Sequence, residues 1–304
     1  MIRSLQYSVH EIADYISWSY FFHAWGLSAK FASVTRVHGC SSCRNEWING
    51  WTDAADVLRA REAVRLYDDA LQLLREADGQ FGFQCRFGLF PANSDGDDVL
   101  VSAEGGATVR LPFLRQQYNP SPDGFCRCLA DYIRPASQGV PDVLGVFVAS
   151  NDARMERQYP DDGYLRMLCQ TLSDRLVEAG TERAHMEIRR GFWGYAPDES
   201  LTIDDMLAAR YRGIRPAVGY PSIPDQSIAF LLRDLVDFGA VGVELTESGA
   251  MTPHASVCGL MFAHPEARYF SVGKIGDDQL ADYDSRRGLP EERMRAFLGS
   301  NLQP

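Results

Sequence analysis

From residue 52 to residue 78, Val57, Ala60, Val64, Leu71 and Leu74 recur at helical spacing between charged positions, which predicts one long amphipathic helix. A second is predicted over residues 161–190, where Leu165, Leu168, Leu172, Leu176 and Ala179 share a face. Residues 82–114 read as β structure with turns. Leu89 and Phe90 end one strand, Asn93-Ser94-Asp95-Gly96 is dense turn chemistry, and Val99 to Val101 start the next. A continuous apolar strand is predicted over residues 143–149, between Pro141 and Asn151.

The remaining elements are shorter. Residues 1–27 open with an amphipathic stretch followed by the aromatic cluster Trp18, Tyr20, Phe21, Phe22 and Trp25. A short helix is predicted over 202–211, with Thr202 and Asp205 at capping-box spacing. Three prolines and two glycines make 213–224 an extended loop. Residues 225–238 read as helix, and 241–244, 257–263 and 268–275 as strands, the last two joined by the turn His264-Pro265-Glu266-Ala267. Helices over 277–286 and 290–298 close the pattern. There is no repeat, no low-complexity linker and no strand–helix–strand rhythm of a parallel sheet. One α+β domain over residues 1–304, on an antiparallel or mixed sheet, is the expectation.

Composition narrows the function classes. The 304 residues are 45% hydrophobic and carry a net charge of −11. That charge disfavours nucleic acid and anionic lipid as partners, because both require a basic footprint. Lys30 and Lys274 are the only lysines beside 28 arginines, so Schiff-base chemistry has two positions at most. No apolar run approaches a membrane span of about 20 residues. Tyr7, His10, Glu11 and Asp14 stand where a signal peptide needs apolar residues. With seven cysteines, an odd number, the expectation is a cytoplasmic protein with reduced thiols.

Local motifs are sparse. In His38-Gly39-Cys40-Ser41-Ser42-Cys43, a Cys-x-x-Cys pair beside a histidine has metal-ligand or dithiol spacing, but no second pair follows. Two readings stay open there, reduced structural thiols and a metal or redox centre. Cys126-Arg127-Cys128 is a weaker pair, and His254 and His264 read as turn residues. Nucleophile-elbow, dinucleotide and phosphate-loop signatures are absent. The richest window is Arg215-Pro216-Ala217-Val218-Gly219-Tyr220-Pro221. Its prolines stiffen a loop, Gly219 permits close backbone approach, and Arg215 offers a donor fork to a carboxylate, of a ligand or of the protein itself.

Several windows carry a resemblance that no single motif does. They are Tyr15-Ile16-Ser17-Trp18-Ser19-Tyr20-Phe21-Phe22, Gly88-Leu89-Phe90-Pro91-Ala92-Asn93, Leu114-Arg115-Gln116-Gln117, Leu172-Ser173-Asp174-Arg175-Leu176-Val177-Glu178-Ala179 and Trp193-Gly194-Tyr195-Ala196-Pro197. The longest runs from Gly213 through Pro224 to Leu245-Thr246-Glu247-Ser248 and Met251. It continues through His264-Pro265 to Asp278-Gln279 and Tyr283. In order and spacing these resemble the activation domain of cobalamin-dependent methionine synthase, over essentially the whole chain.

The resemblance implies a single C-shaped domain on a twisted antiparallel sheet with long flanking helices. It implies S-adenosylmethionine as ligand, cobalamin carried by a partner chain, and a flavodoxin-like electron donor. By residue, Arg215 matches the arginine that pairs with the ligand carboxylate, and Ala217 and Gly219 the backbone that approaches the ligand. Tyr269 and Phe270 match the aromatic pair at the adenosine side, Glu178 an acid in a neighbouring helix, and Tyr220 the tyrosine turned toward the cobalamin module. Ser17, Ala209 and Gln226 depart from the family's usual Asp, acid and His. No Asp-x-His-x-x-Gly cobalamin-ligating motif and no homocysteine- or folate-binding barrel is legible, so the implied role is one performed in trans, with no complete active site of its own. Two alternatives remain: a docking scaffold of the same fold that has lost the ligand, and the reactivation module of another corrinoid methyltransferase.

Overall fold

Alternate burial of Phe83, Cys85 and Phe87, changing phase at Gly88 and resuming with Phe90, Ala92 and Ser94, builds a strand far longer than its apolar run. In the computed structural model, which describes residues 1–118 and 124–303, the strands are β1 (Ile2–Ser8), β2 (Gly82–Asp95), β3 (Asp98–Ser102), β4 (Thr108–Pro112), β5 (Asp142–Asn151), β6 (Glu244–Leu245), β7 (Met251–Thr252) and β8 (Ser256–Met261). Among the described residues, six of them form one sheet, ordered β4-β3-β2-β5-β8 with β1 also on β2, while β6 pairs with β7. The β2–β3, β3–β4 and β5–β8 pairs are antiparallel. The strand expected to stop at Leu89 and Phe90 instead runs to Asp95. The reversal is the two-residue turn Gly96-Asp97, closed by Asp95 opposite Asp98, with Gly96 at φ +62°.

The chain divides into two compact units. One comprises Met1–Leu5, Cys85–Ser150 and Ala184–Pro304; the other comprises Gln6–Gln84 and Asn151–Arg183. In the first, Val99, Val101, Leu111, Val146, Val148 and Leu260 of the sheet are buried with Ile228 and Leu232 of the Ile228–Leu235 helix. A smaller cluster joins Val272 and Ile275 to Leu280 and Tyr283 of the Asp277–Arg287 helix, and to Met294 and Leu298 of the Glu291–Leu298 helix.

In the second unit the predicted long helix spans Ala54–Ala77. Its start is fixed by Asp53, whose carboxylate accepts the N–H groups of Ala55 and Asp56. Its buried face is Ala60, Ala63, Leu66, Tyr67, Ala70, Leu73, Leu74 and Ala77, so Val57, Val64 and Leu71 flank the contact rather than lead it. The other long helix is Gly163–Glu187, burying Leu168, Leu172, Leu176 and Ala179, and it widens into a π turn at Ile188–Phe192. No helix among the described residues is long and apolar enough to cross a membrane.

Three expectations are corrected. Residues 2–8 form a strand that the sequence pattern did not reveal, because most of its side chains stay at least partly exposed and no alternation shows. The strand expected at 241–244 is a 3-10 turn, Phe238–Val241, followed by Gly242 at φ +69°, which leaves only Glu244–Leu245 extended. Residues 268–275 form no strand: their backbone groups are taken by side chains and by isolated main-chain bonds, as described below. The capping box at Thr202 and Asp205 is present on the Ile203–Leu207 helix, which ends at Ala209 in the left-handed region, φ +53°. A side chain there costs about 1 kcal/mol relative to glycine. Ala209→Gly is therefore expected to raise the unfolding midpoint by roughly 2–4 °C in a thermal melt.

Candidate functional site

Glycines let the 213–219 segment lie directly on β8. Ile214 and Phe262 exchange N–H···O bonds of 3.0 and 2.9 Å, the Val218 N–H donates to Cys258 O at 2.9 Å, and the Leu260 N–H donates to Pro216 O at 3.0 Å. The predicted loop is thus an extended edge strapped to the sheet. A Cβ on Gly259 would stand 2.3 Å from Pro216 O and 2.8 Å from the Ala217 Cα, and one on Gly213 (φ +82°) 2.2 Å from Phe262 O. Gly259→Ala must push the Arg215 edge away from β8. The expected cost is about 1–3 kcal/mol, read as a lowered unfolding midpoint, with loosened protection of the Val218 and Leu260 amides in hydrogen exchange.

Beyond Ala217 the chain reverses. Gly219, at φ +85°, donates its N–H to Ile223 O at 2.8 Å, and the Ile223 N–H donates to Tyr220 O at 2.8 Å. This turn leaves Tyr220 53% exposed. Gln226 holds the turn from behind: its amide oxygen occupies the place a Cβ on Gly219 would need, and its Nε2 donates to Gly249 O at 3.2 Å.

Arg215 is half-buried, with its guanidinium 5.6 Å over the Phe147 ring. Its main-chain N–H donates to the Tyr269 hydroxyl at 2.9 Å, and that hydroxyl bonds the Tyr211 hydroxyl at 3.0 Å. The Arg215 edge and the Tyr269-Phe270 segment are thereby joined. Ser222 completes the joint: its hydroxyl donates to Phe270 O at 2.5 Å and accepts the Phe270 N–H at 3.3 Å, while the Val272 N–H reaches Pro221 O at 2.9 Å.

Side chains serve other parts of the 268–276 backbone too, while the Ile275 N–H donates to Asn301 O and the Ile275 O accepts the Gln303 N–H. The Tyr132 hydroxyl serves both the N–H and the C=O of Arg268, Gln116 Nε2 donates to Ser271 O, and Gln117 Oε1 accepts the Gly276 N–H. Side chains and isolated main-chain bonds stand in for a neighbouring strand, so this extended sequence forms no ladder. Gln279 in turn accepts the Arg115 N–H and donates to Arg115 O. The Leu114-Arg115-Gln116-Gln117 and Asp278-Gln279 windows therefore position the aromatic segment.

Behind Tyr211 lies a buried group that sequence reading did not find. His185, 1% exposed, meets the Tyr211 ring edge-on at 4.9 Å, and Arg189 stacks 4.3 Å from the same ring while pairing with Glu199 at 2.5 Å. Burial, then Arg189 and Arg215, pushes the His185 imidazole well below its ordinary pKa, so it is neutral. Arginines at the end of a helix read in sequence as solvated partners of its dipole, so nothing marks Arg189 as buried.

Other candidates fall elsewhere. Ser17 and Glu178 belong to the unit formed by 6–84 and 151–183. Ser17 is the N-cap of the Trp18–Ala24 helix without a side-chain capping bond, and Glu178 is half-buried on the Gly163–Glu187 helix. His38, Cys40 and Cys43 do come together. The Cys43 backbone N–H, then His38, draws the exposed Cys40 thiol down to about 6, while Cys43 is raised by its bond to Cys40. His264 is a turn residue whose Nδ1 accepts the Glu266 N–H at 3.2 Å. Burial pushes the Cys128 thiol up to about 12. A surface cavity of about 620 Å³ is lined by Asp98, Arg110 and Arg286 among others, and both arginines pair with Asp98; it includes none of the sequence-predicted site residues.

Known proteins show the same architecture. The family model described as vitamin B12 dependent methionine synthase, activation domain, matches residues 8–288. A crystal structure of the MetH reactivation domain bound to AdoHcy superposes with a TM-score of 0.86 at 31% identity, covering 100% of this chain and 91% of that one. With nearly the whole sequence matched and the fold reproduced, the chain belongs to the activation-domain family of vitamin B12-dependent methionine synthases.

Proposed function

We propose that the Arg215–Gly219 edge and the Tyr269-Phe270 segment hold S-adenosylmethionine, and that the chain reactivates the oxidised cobalamin of a separate methionine synthase chain. The observation that carries this is the joint itself. A donor fork, a glycine-permitted backbone approach and an aromatic pair lie on two segments bound to each other by Tyr269, Ser222 and Val272. Such a site is preorganised, so little ordering cost is incurred on binding. Arg215 presents a planar fork for the carboxylate, the backbone of Ala217 and Gly219 faces the ligand, and Tyr269, 45% exposed, offers an aromatic surface for the adenine. The residues fit the ligand's three chemistries: anion, chain and planar base. Glu178 and Ser17 are the family-matched positions in the other unit, and Tyr220 is directed to the cobalamin module. Held there, S-adenosylmethionine would supply its methyl group to cobalt reduced by one electron from a flavodoxin-like donor, leaving AdoHcy.

This chain, S-adenosylmethionine and a reduced flavodoxin are to be added to an oxidised synthase lacking its own activation domain. Restored turnover is expected only when all three are present. No restoration by a chain that binds the ligand would contradict the action in trans. Restoration of another corrinoid methyltransferase instead would move the same chemistry to a different partner.

A further inference from the structure

The site above leaves one chemically equipped cluster unused. His38, Cys40 and Cys43 place one imidazole nitrogen and two sulfurs within 4.8 Å of one another, at the start of the Ser41–Asn49 helix. The turn is organised around those atoms. The Cys43 N–H points at the Cys40 sulfur at 3.5 Å, and the Cys40 N–H points at His38 Nδ1 at 3.3 Å. The Cys40 sulfur keeps lone pairs for a metal beside the Cys43 N–H bond, whereas the single Nδ1 lone pair of His38 is taken by the Cys40 N–H, so the imidazole coordinates through Nε2 or by releasing that bond.

We propose that His38, Cys40 and Cys43 bind a thiophilic divalent cation, zinc, with solvent in the fourth position. The donor set is the argument: two thiolates and an imidazole are soft-to-borderline ligands, and two thiolate charges neutralise a dication. Zinc–sulfur bonds of about 2.3 Å in tetrahedral geometry set the sulfurs roughly 3.8 Å apart. The cluster thus needs a contraction of no more than about 1 Å, within reach of side-chain rotation at exposed positions. Backbone N–H groups aimed at a coordinating sulfur are the usual outer support of such sites. The other cysteines are less suited. Cys85, Cys128, Cys169 and Cys258 are buried, and the half-buried Cys126 has no partner at this spacing. Because the cluster lies wholly within the 6–84 segment, its occupancy is separable from ligand binding at Arg215.

The test uses the whole chain, reduced anaerobically, stripped with chelator and titrated with cobalt(II) as a visible probe. One equivalent is expected to produce a thiolate-to-cobalt charge-transfer band and tetrahedral ligand-field bands, both removed by one equivalent of zinc. Cys43→Ser, which leaves the Cys40 thiolate, should weaken cobalt affinity by at least tenfold and leave no more than about half the charge-transfer intensity per bound ion. His38→Ala should keep part of it with at least tenfold weaker affinity, and Cys126→Ser should change nothing. Circular dichroism of each variant confirms its fold. Absence of the band in the parent chain overturns the proposal, as does a titration whose affinity and band intensity are unchanged in Cys43→Ser or formation of a Cys40–Cys43 disulfide in the presence of excess zinc.

Discussion

Asp225→Ala is expected to lower the unfolding midpoint by about 6–20 °C. Asp225 is fully buried; its Oδ2 accepts the Tyr283 hydroxyl at 2.8 Å and Arg287 Nε at 3.2 Å, and its Oδ1 accepts the Ser227 N–H at 2.8 Å. The Arg287 side chain is only 6% exposed. Removing the carboxylate leaves that guanidinium buried with Ser227 alone, at a cost of about 3–5 kcal/mol, and each kcal/mol is worth roughly 2–4 °C in a chain of this size class. Burial and the neighbouring Asp225 charge also hold the Tyr283 phenol well above its ordinary pKa, so it remains a donor throughout the working range. A thermal melt of the single variants and of Asp225→Ala/Arg287→Ala checks the assignment. The double variant should recover part of the loss, because the uncompensated charge is gone. Additive losses would mean the pair is not energetically linked.

Arg215→Ala is expected to weaken S-adenosylmethionine binding by about 10- to 150-fold, the equivalent of about 1.5–3 kcal/mol for a charge-assisted bond. The fold should hardly notice. What ties this residue to Tyr269 is its main-chain N–H, which alanine retains, and the neighbouring Ile214 and Val218 bonds to β8 do not involve the side chain. Arg215→Lys keeps the charge without the fork and should fall between the two. Binding titrations paired with thermal melts separate the two effects. A variant with unchanged melting and unchanged affinity would remove Arg215 from the site.

Much of the frame was legible because its signals are local. The Ala54–Ala77 helix announced itself by period, and the capping pair Thr202 and Asp205 by chemistry. The functional edge was legible as a stiff, glycine-bearing loop, although its pairing with β8 was not. That pairing depends on Gly259, forty-four residues beyond Arg215, whose role is visible only when Pro216 O lies against it. The false strand at 268–275 has the same origin. Extended, apolar residues look alike whether a strand or the side chains of Gln116, Tyr132 and Ser222 take their hydrogen bonds. The support behind Tyr211 was illegible, since nothing in the sequence marks His185 and Arg189 as buried. The family windows were the better guide. Several of their residues, Gln116, Gln279 and Tyr283 among them, hold the site segments in place.

Calorimetric titration of the purified chain with S-adenosylmethionine is the decisive measurement. Saturable binding of one molecule per chain, lost or weakened by at least tenfold in Arg215→Ala, is the expected result. A folded chain that gives no saturable heat up to millimolar ligand would mean that the Ser17, Ala209 and Gln226 replacements have emptied the site, leaving a docking scaffold of the same fold.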